Sequence, residues 1–307
     1  MSVITTQHYF SNNDKKVASV PMNTRRPPRP APRSAPKPSD DRDAPKGRRA
    51  ARGAATALKT KPEAAEREDG PQRIAKLLAR AGVGSRRDIE RMVEEGRIAL
   101  NGQVIVHPAP LLNSLEGLTV DGNPVAKPVS TRLYRFNKPA GCITAARDPK
   151  GRKTIYDLLP KDLPRLMPVG RLDYNTEGLL LLTNDGEFKR QLELPASGVE
   201  RTYRARAFGD ISQTQLEELA MGIEIDGVRY GKIDANLERR TGRNQWVEMT
   251  LTEGKNREVR KVLEHFGLQV SRLIRTRYGA FELGGMPLGS VDVVPRDELF
   301  KFRRHLG

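Results

Sequence analysis

The sequence predicts an α+β fold, and three observations carry that prediction. Short apolar/polar alternating runs are joined by tight-turn dipeptides, which favours antiparallel pairing of neighbouring strands. Helical periodicities are few and short, and they fall between such strands. The regular strand–helix–strand alternation that builds a parallel sheet is missing. A length of 307 residues suggests about two domains, each large enough for its own core. Lys and Arg number 54 against 38 Asp and Glu, a net charge of +16 that favours an anionic partner, nucleic acid before a membrane surface. One cysteine and four scattered histidines give no basis for a disulfide framework or a Cys/His metal site. No apolar run approaches the roughly 18–20 residues needed to cross a bilayer. The N-terminus lacks the pattern of a secretory signal. The expectation is a soluble, cytoplasmic protein without membrane contact.

Residues 1–70 hold 15 Lys and Arg against 8 Asp and Glu, with 9 of the 22 prolines and two aromatics. The tract from Arg25 to Pro38 is close to pure Pro, Arg and Ala. Such a segment buries too little apolar surface to offset the entropy of ordering. It reads as a disordered basic arm, either a plain solvated tail or a non-specific RNA-binding extension.

Residues 71–130 read as a small module. Ile74, Leu77, Leu78 and Ala81 form one helix face, which Gly82 stops. Ser85 caps a second helix with Asp88 three residues on, a capping box. Ile89, Met92 and Val93 are its apolar face, and Gly96 ends it. Asn101-Gly102 and Asp121-Gly122 are hairpin turns. Arg73, Lys76 and Arg80 fall within about 60° of one another on a helical wheel. Arg86, Arg87 and Arg91 decorate the second helix. Such residues suit an RNA backbone, and equally a solvated face.

Residues 131–300 read as a larger domain of mixed strands and helices. A strand at Leu133–Phe136 runs into the turn-rich Asn137–Gly141, and Leu179–Leu182 is a short buried strand ended by Asn184-Asp185-Gly186. Residues 202–208 alternate, with Tyr203, Ala205 and Ala207 opposite Arg204 and Arg206. Ser212 and Gln215 form a capping box, Asp226-Gly227 joins two short strands, and Val247, Met249 and Leu251 alternate. A helix over 256–266 shows Val259, Val262, Leu263 and Phe266 on one face and ends at Gly267. A strand at 270–278 carries Arg272, Arg275 and Arg277.

The chain has no Walker-type phosphate loop, no convincing dinucleotide fingerprint and no defensible Ser/His or Cys/His nucleophile pair. The stretch best placed for chemistry is Val169–Gly178 (VGRLDYNTEG), a polar loop ahead of a buried strand, which can present Asp173 from a rigid support. Read alone, Gly-Arg-Leu-Asp is also the pattern of an ordinary turn with an Arg–Asp pair.

Residues 72–105 (QRIAKLLARAGVGSRRDIERMVEEGRIALNGQVI) resemble the S4 RNA-binding domain. Five ordered blocks resemble RNA pseudouridine synthases of the RsuA/RluB type: 137–141, 148–160, 169–187, 200–209 and 253–279. The Tyr-Asn-Thr-Glu-Gly continuation and the NREVR…QVSRLIR…RYG block are most similar to the RluB branch, which modifies 23S ribosomal RNA. The resemblance implies a small S4-like module followed by a largely antiparallel mixed-sheet catalytic domain. It implies isomerisation of a uridine in 23S ribosomal RNA, free or in an assembly intermediate, with no cofactor and no metal. It places Asp173 as the catalytic aspartate, Tyr203 as the tyrosine that stacks on the base, and Arg260 as the cation paired with the aspartate. Arg171, Lys255 and Arg257, and the strand arginines Arg272, Arg275 and Arg277, are candidate phosphate contacts. An S4-type assembly factor without turnover, or the same chemistry on 16S ribosomal RNA, are the competing readings. Nothing reads as a coiled coil or large apolar interface, so a monomer is expected.

Overall fold

Local signals act first in the N-terminal part of the computed structural model, which describes residues 70–107 and 110–306. The expected basic arm lies outside the described residues, apart from Gly70. Helix α1 (Ile74–Arg80) stops where Gly82 takes φ +86°. Helix α2 (Arg86–Glu94) starts at the capping box: Ser85 Oγ accepts from the Asp88 amide at 3.1 Å, and Asp88 Oδ2 accepts from the Ser85 amide at 3.0 Å. Asn101-Gly102 and Asp121-Gly122 have positive φ at both residues, as tight hairpin turns require. They link four short antiparallel strands, at 98–100, 103–104, 118–120 and 123–124. Ile74, Leu78, Ile89, Val93, Ile98 and Leu118 pack into one core. A strand pair absent from the sequence expectation, Gln72–Arg73 with Leu111–Leu112, ties the start of the module to the segment between its two hairpin turns. Arg73 therefore ends a strand instead of joining the helical row of Lys76 and Arg80.

The larger sheet follows seven main strands. They are β1 (Leu133–Lys138), β2 (Thr176–Thr183), β3 (Arg201–Phe208), β4 (Ile233–Thr241), β5 (Asn244–Leu251), β6 (Gln269–Tyr278) and β7 (Val291–Val293). Their spatial order is β4-β5-β3-β6-β2-β1-β7. All neighbours are antiparallel except β6 and β2, which pair parallel through Leu273–Arg275 and Thr176–Gly178. That single parallel contact joins the two halves of the sheet.

The Leu179–Leu182 run is explained by burial on both faces. Leu179 and Leu181 pack with Phe188 and Leu192 of α3 (Gly186–Glu193) and Leu299 and Phe302 of α6 (Arg296–His305). Leu180 and Leu182 pack with Tyr134, Phe136, Leu166 and Leu172. All four leucines are fully buried, each contributing roughly 1.5–3 kcal/mol. In the other half, Ala205, Ala207, Val247 and Met249 meet Leu216 of α4 (Gln213–Glu217) and Val259, Val262 and Leu263 of α5 (Glu258–His265).

Four expectations change. Asn184-Asp185-Gly186 ends β2 but also starts α3, because Asp185 Oδ1 accepts from the Glu187 and Phe188 amides at 2.9 and 3.2 Å. Helix α6 follows the last strand and has no counterpart among the helices the sequence predicts. Strand β1 extends through Asn137 and Lys138, which pair with Leu179 and Gly178, so these two residues are strand and not loop. The helix expected from residue 256 begins at Glu258, because Arg257 sits at φ +52°, outside helical geometry.

Candidate active site

Asp173 stands on a short loop fixed by its neighbours on every side. Glu193 Oε1, from α3, accepts from the Gly170 amide at 2.6 Å. Thr144 Oγ1 donates to the Leu172 carbonyl at 2.9 Å and accepts from its amide at 3.2 Å. The Gly141 amide donates to the Tyr174 carbonyl at 2.9 Å. Lys138, fully buried at the end of β1, donates Nζ to the carbonyls of Pro139, Asp173 and Thr176 at 3.0, 3.1 and 3.0 Å. Burial pushes its ammonium below the ordinary lysine value. Val169 and Leu172 are buried beneath the loop. The Asp173 carboxylate is left about one-third exposed, facing a cleft of about 810 Å³.

Tyr203, from β3, forms part of the cleft wall and packs against both halves of the core. Its hydroxyl accepts from Arg275 Nη1 at 3.4 Å, and the Arg275 guanidinium lies 5.9 Å from its ring centre. Arg275 is buried and donates Nε to the Leu179 carbonyl at 2.7 Å, with its guanidinium 5.1 Å from the Tyr278 ring. The sequence suggests a surface phosphate contact here; burial makes Arg275 part of the wall that holds Tyr203.

The cations near Asp173 are arranged differently from the expectation. Arg260 is buried and makes no ion pair with Asp173. It donates Nη1 to the Val270 carbonyl at 3.1 Å and Nη2 to the Asn175 carbonyl at 3.2 Å, which ties the loop to β6. Burial first, then Arg257, lowers its basicity, while the charge of Asp173 opposes that shift. The ion-pair partner of Asp173 is Arg257, whose Nη1 lies 3.8 Å from Oδ2. From sequence, Arg257 is expected only as a phosphate contact.

The remaining expected contacts divide by partner. Arg171 and Lys255 line the cleft, with Lys255 paired to Glu253. Arg272 lies on the sheet surface in a two-pronged bond to Glu177 at 3.0 and 2.8 Å, and Arg277 pairs with Glu200 at 3.1 Å. Lys76 pairs with Glu187 of α3 at 2.9 Å. Arg91 pairs with Asp88 at 3.2 Å, and Arg86 and Arg87 are exposed. Arg80 faces α3 near Asp185.

Four contributors are not evident from sequence: Lys138, Thr144, Glu193 and Glu258. Glu258 is buried in the cleft wall, where Oε2 accepts from the Lys255 amide at 2.8 Å and Oε1 has no hydrogen-bond partner among the described residues. Burial pushes its carboxyl above the ordinary range. Lys138 and Glu258 stand inside recognisable blocks, but a charged residue type argues for exposure. Thr144 and Glu193 carry no local signal.

This fold and site define an RNA-modifying class: residues 132–265 match the RNA pseudouridylate synthase family, and residues 72–109 match the S4 domain. An uncharacterised RNA pseudouridine synthase of Rickettsia bellii is 43% identical over 215 residues, covering 70% of this chain and 93% of that protein. Ribosomal large subunit pseudouridine synthase B of Salmonella typhi is 41% identical over 229 residues, covering 71% and 77%. A crystal structure of a pseudouridylate synthase shares the fold, with TM-score 0.53 and 24% identity over 75% of this chain and 99% of that one. The chain belongs to the RNA pseudouridine synthase family, enzymes that isomerise uridine to pseudouridine within RNA.

Proposed function

We propose that this protein converts one uridine of 23S ribosomal RNA to pseudouridine, with Asp173 as the reacting carboxylate. The observation that carries the reading is the setting of Asp173: a backbone immobilised by Lys138, Thr144 and Glu193, and a carboxylate opening on a cleft walled by Tyr203. Reaction breaks the N1–C1′ bond, turns the base and joins C5 to C1′; the C5 proton leaves and N1 gains one, so atoms and electrons balance. Asp173 serves as nucleophile or as base. Arg257 sets a guanidinium 3.8 Å from Asp173 Oδ2, at the edge of the same cleft. Tyr203 offers the flipped uracil an aromatic wall. Arg260 holds the loop through the Asn175 carbonyl, and its charge reaches Asp173 without an ion pair within 4 Å. The large-subunit target is supported by the 41% identity to the Salmonella enzyme, whose name assigns it to the large ribosomal subunit.

In this reading residues 71–130 anchor the RNA and 131–300 carry the chemistry, in a monomer working in the cytoplasm on free or assembling ribosomal RNA. The test is Asp173→Asn on 23S transcripts: pseudouridine formation is abolished and RNA affinity stays within about twofold of wild type. Residual turnover in that variant would overturn the role of Asp173. Tight RNA binding by the wild type with no pseudouridine formed would make the chain a binding factor.

A further inference from the structure

Beside the Asp173 cleft lies a second concavity of about 550 Å³, where α1 and the start of α2 face α3. Its wall gathers six cations, Lys76, Arg80, Arg86, Arg165, Lys189 and Arg190, against the carboxylates of Asp185, Glu187 and Glu193. Lys76 pairs with Glu187, and Lys189 pairs with Glu193. Asp185 is committed to the Thr131 hydroxyl and to two α3 amides, and it lies in the field of Arg80.

Three guanidiniums remain. Arg86, Arg165 and Arg190 are exposed, and none forms an ion pair within 4 Å among the described residues. They come from three separate segments: α2, the loop before Met167, and α3. Like charges converging on one hollow repel each other, and a sugar–phosphate backbone with its regular negative charges relieves that repulsion. The hollow also adjoins the Asp173 cleft. Lys189 and Glu193 line both, and Glu193 holds the Gly170 amide, three residues before Asp173.

We propose that this groove seats the backbone of the same RNA whose uridine enters the Asp173 cleft, with Arg165 and Arg190 as phosphate contacts. The proposal rests on the RNA-modifying reading above and adds two phosphate-binding residues outside both the arginines of α1 and α2 and the Asp173 cleft.

The test uses the full chain and a 23S transcript. Arg165→Ala/Arg190→Ala raises KM on the order of tenfold and leaves kcat within about twofold. The slope of log affinity against log salt falls by about one for each phosphate no longer neutralised. Arg165→Lys/Arg190→Lys keeps the charges and recovers most of the slope. Arg229→Ala, an exposed cation on the 223–230 hairpin, serves as a control and leaves both readings unchanged. An unchanged KM and slope in the double alanine variant overturns the groove, as does a fall in kcat alone. If the wild type forms no pseudouridine, the enzymatic reading fails instead, and the salt slope still judges the groove.

Discussion

Arg257 Nη1 lies 3.8 Å from Asp173 Oδ2, and the left-handed backbone of Arg257, at φ +52°, brings it there. A non-glycine residue in that region costs about 1–2 kcal/mol. The strain sits at an ion pair of the site aspartate, where stored strain is tolerated for placement.

Arg257→Gly separates the two effects. Glycine relieves the torsional cost, so stability in urea unfolding is unchanged or rises by at most about 1 kcal/mol. Loss of the guanidinium slows pseudouridine formation about tenfold. Equal or faster turnover would show that Arg257 does not act on Asp173.

Lys138→Met removes one buried cation and takes one donor from each of three carbonyls, of which that of Asp173 keeps the Thr176 amide and that of Pro139 keeps the Cys142 thiol. Stability falls by about 3 kcal/mol in urea unfolding. At temperatures where the variant stays folded, kcat falls at least about tenfold while KM for RNA stays within about twofold, because the loop that presents Asp173 loosens while the basic residues outside that loop stay in place.

Glu258 gives a pH signature. Burial raises its folded pKa above the ordinary 4.5, so the folded state binds the proton more tightly than the unfolded chain. Stability therefore falls as pH rises from about 4.5 through the folded pKa, and stays lower above it. Glu258→Gln keeps an acceptor for the Lys255 amide and removes the titration. The variant's thermal midpoint gains on wild type as pH rises over that window. A constant gap across pH would contradict the buried, raised carboxyl.

Gly178→Ala tests the parallel junction. Gly178 has φ +99°, and an added Cβ would meet Arg275 backbone O at 2.3 Å and N at 2.9 Å. Neither is a flexible side-chain end, so β2 and β6 must separate. The expected loss is about 3–5 kcal/mol, read as a lower urea midpoint, together with weaker activity as Tyr203 loses its Arg275 neighbour.

Much of the fold is legible in the sequence because its signals are local. Ser85/Asp88 and Ser212/Gln215 form the capping boxes their spacing announces. Asn101-Gly102, Asp121-Gly122 and Asp226-Gly227 adopt the positive φ angles that two-residue hairpins need. Helix α3 is not legible, because Asp-Gly serves both as a turn and as a helix start, and only the docking of Phe188 and Leu192 on β2 selects the second. Asp173 and Tyr203 stand in recognisable blocks and do face one cleft. Arg257 and Arg260 come from the same block, and residue type alone does not say which guanidinium reaches the carboxylate.

The sequence by itself determined the caps, the turns, the strand alternation and the family blocks, since each depends on torsional preferences and hydrogen bonds within a few residues. Tertiary structure alone decided which charges are buried. Lys138 reaches the Asp173 carbonyl across 35 positions, and Arg275 reaches the Leu179 carbonyl across 96. A buried cation is stable only where distant segments supply its acceptors. That supply exists only once β1, β2 and β6 lie side by side, and it turns an Asp on a polar loop into a carboxylate held at one place in a cleft.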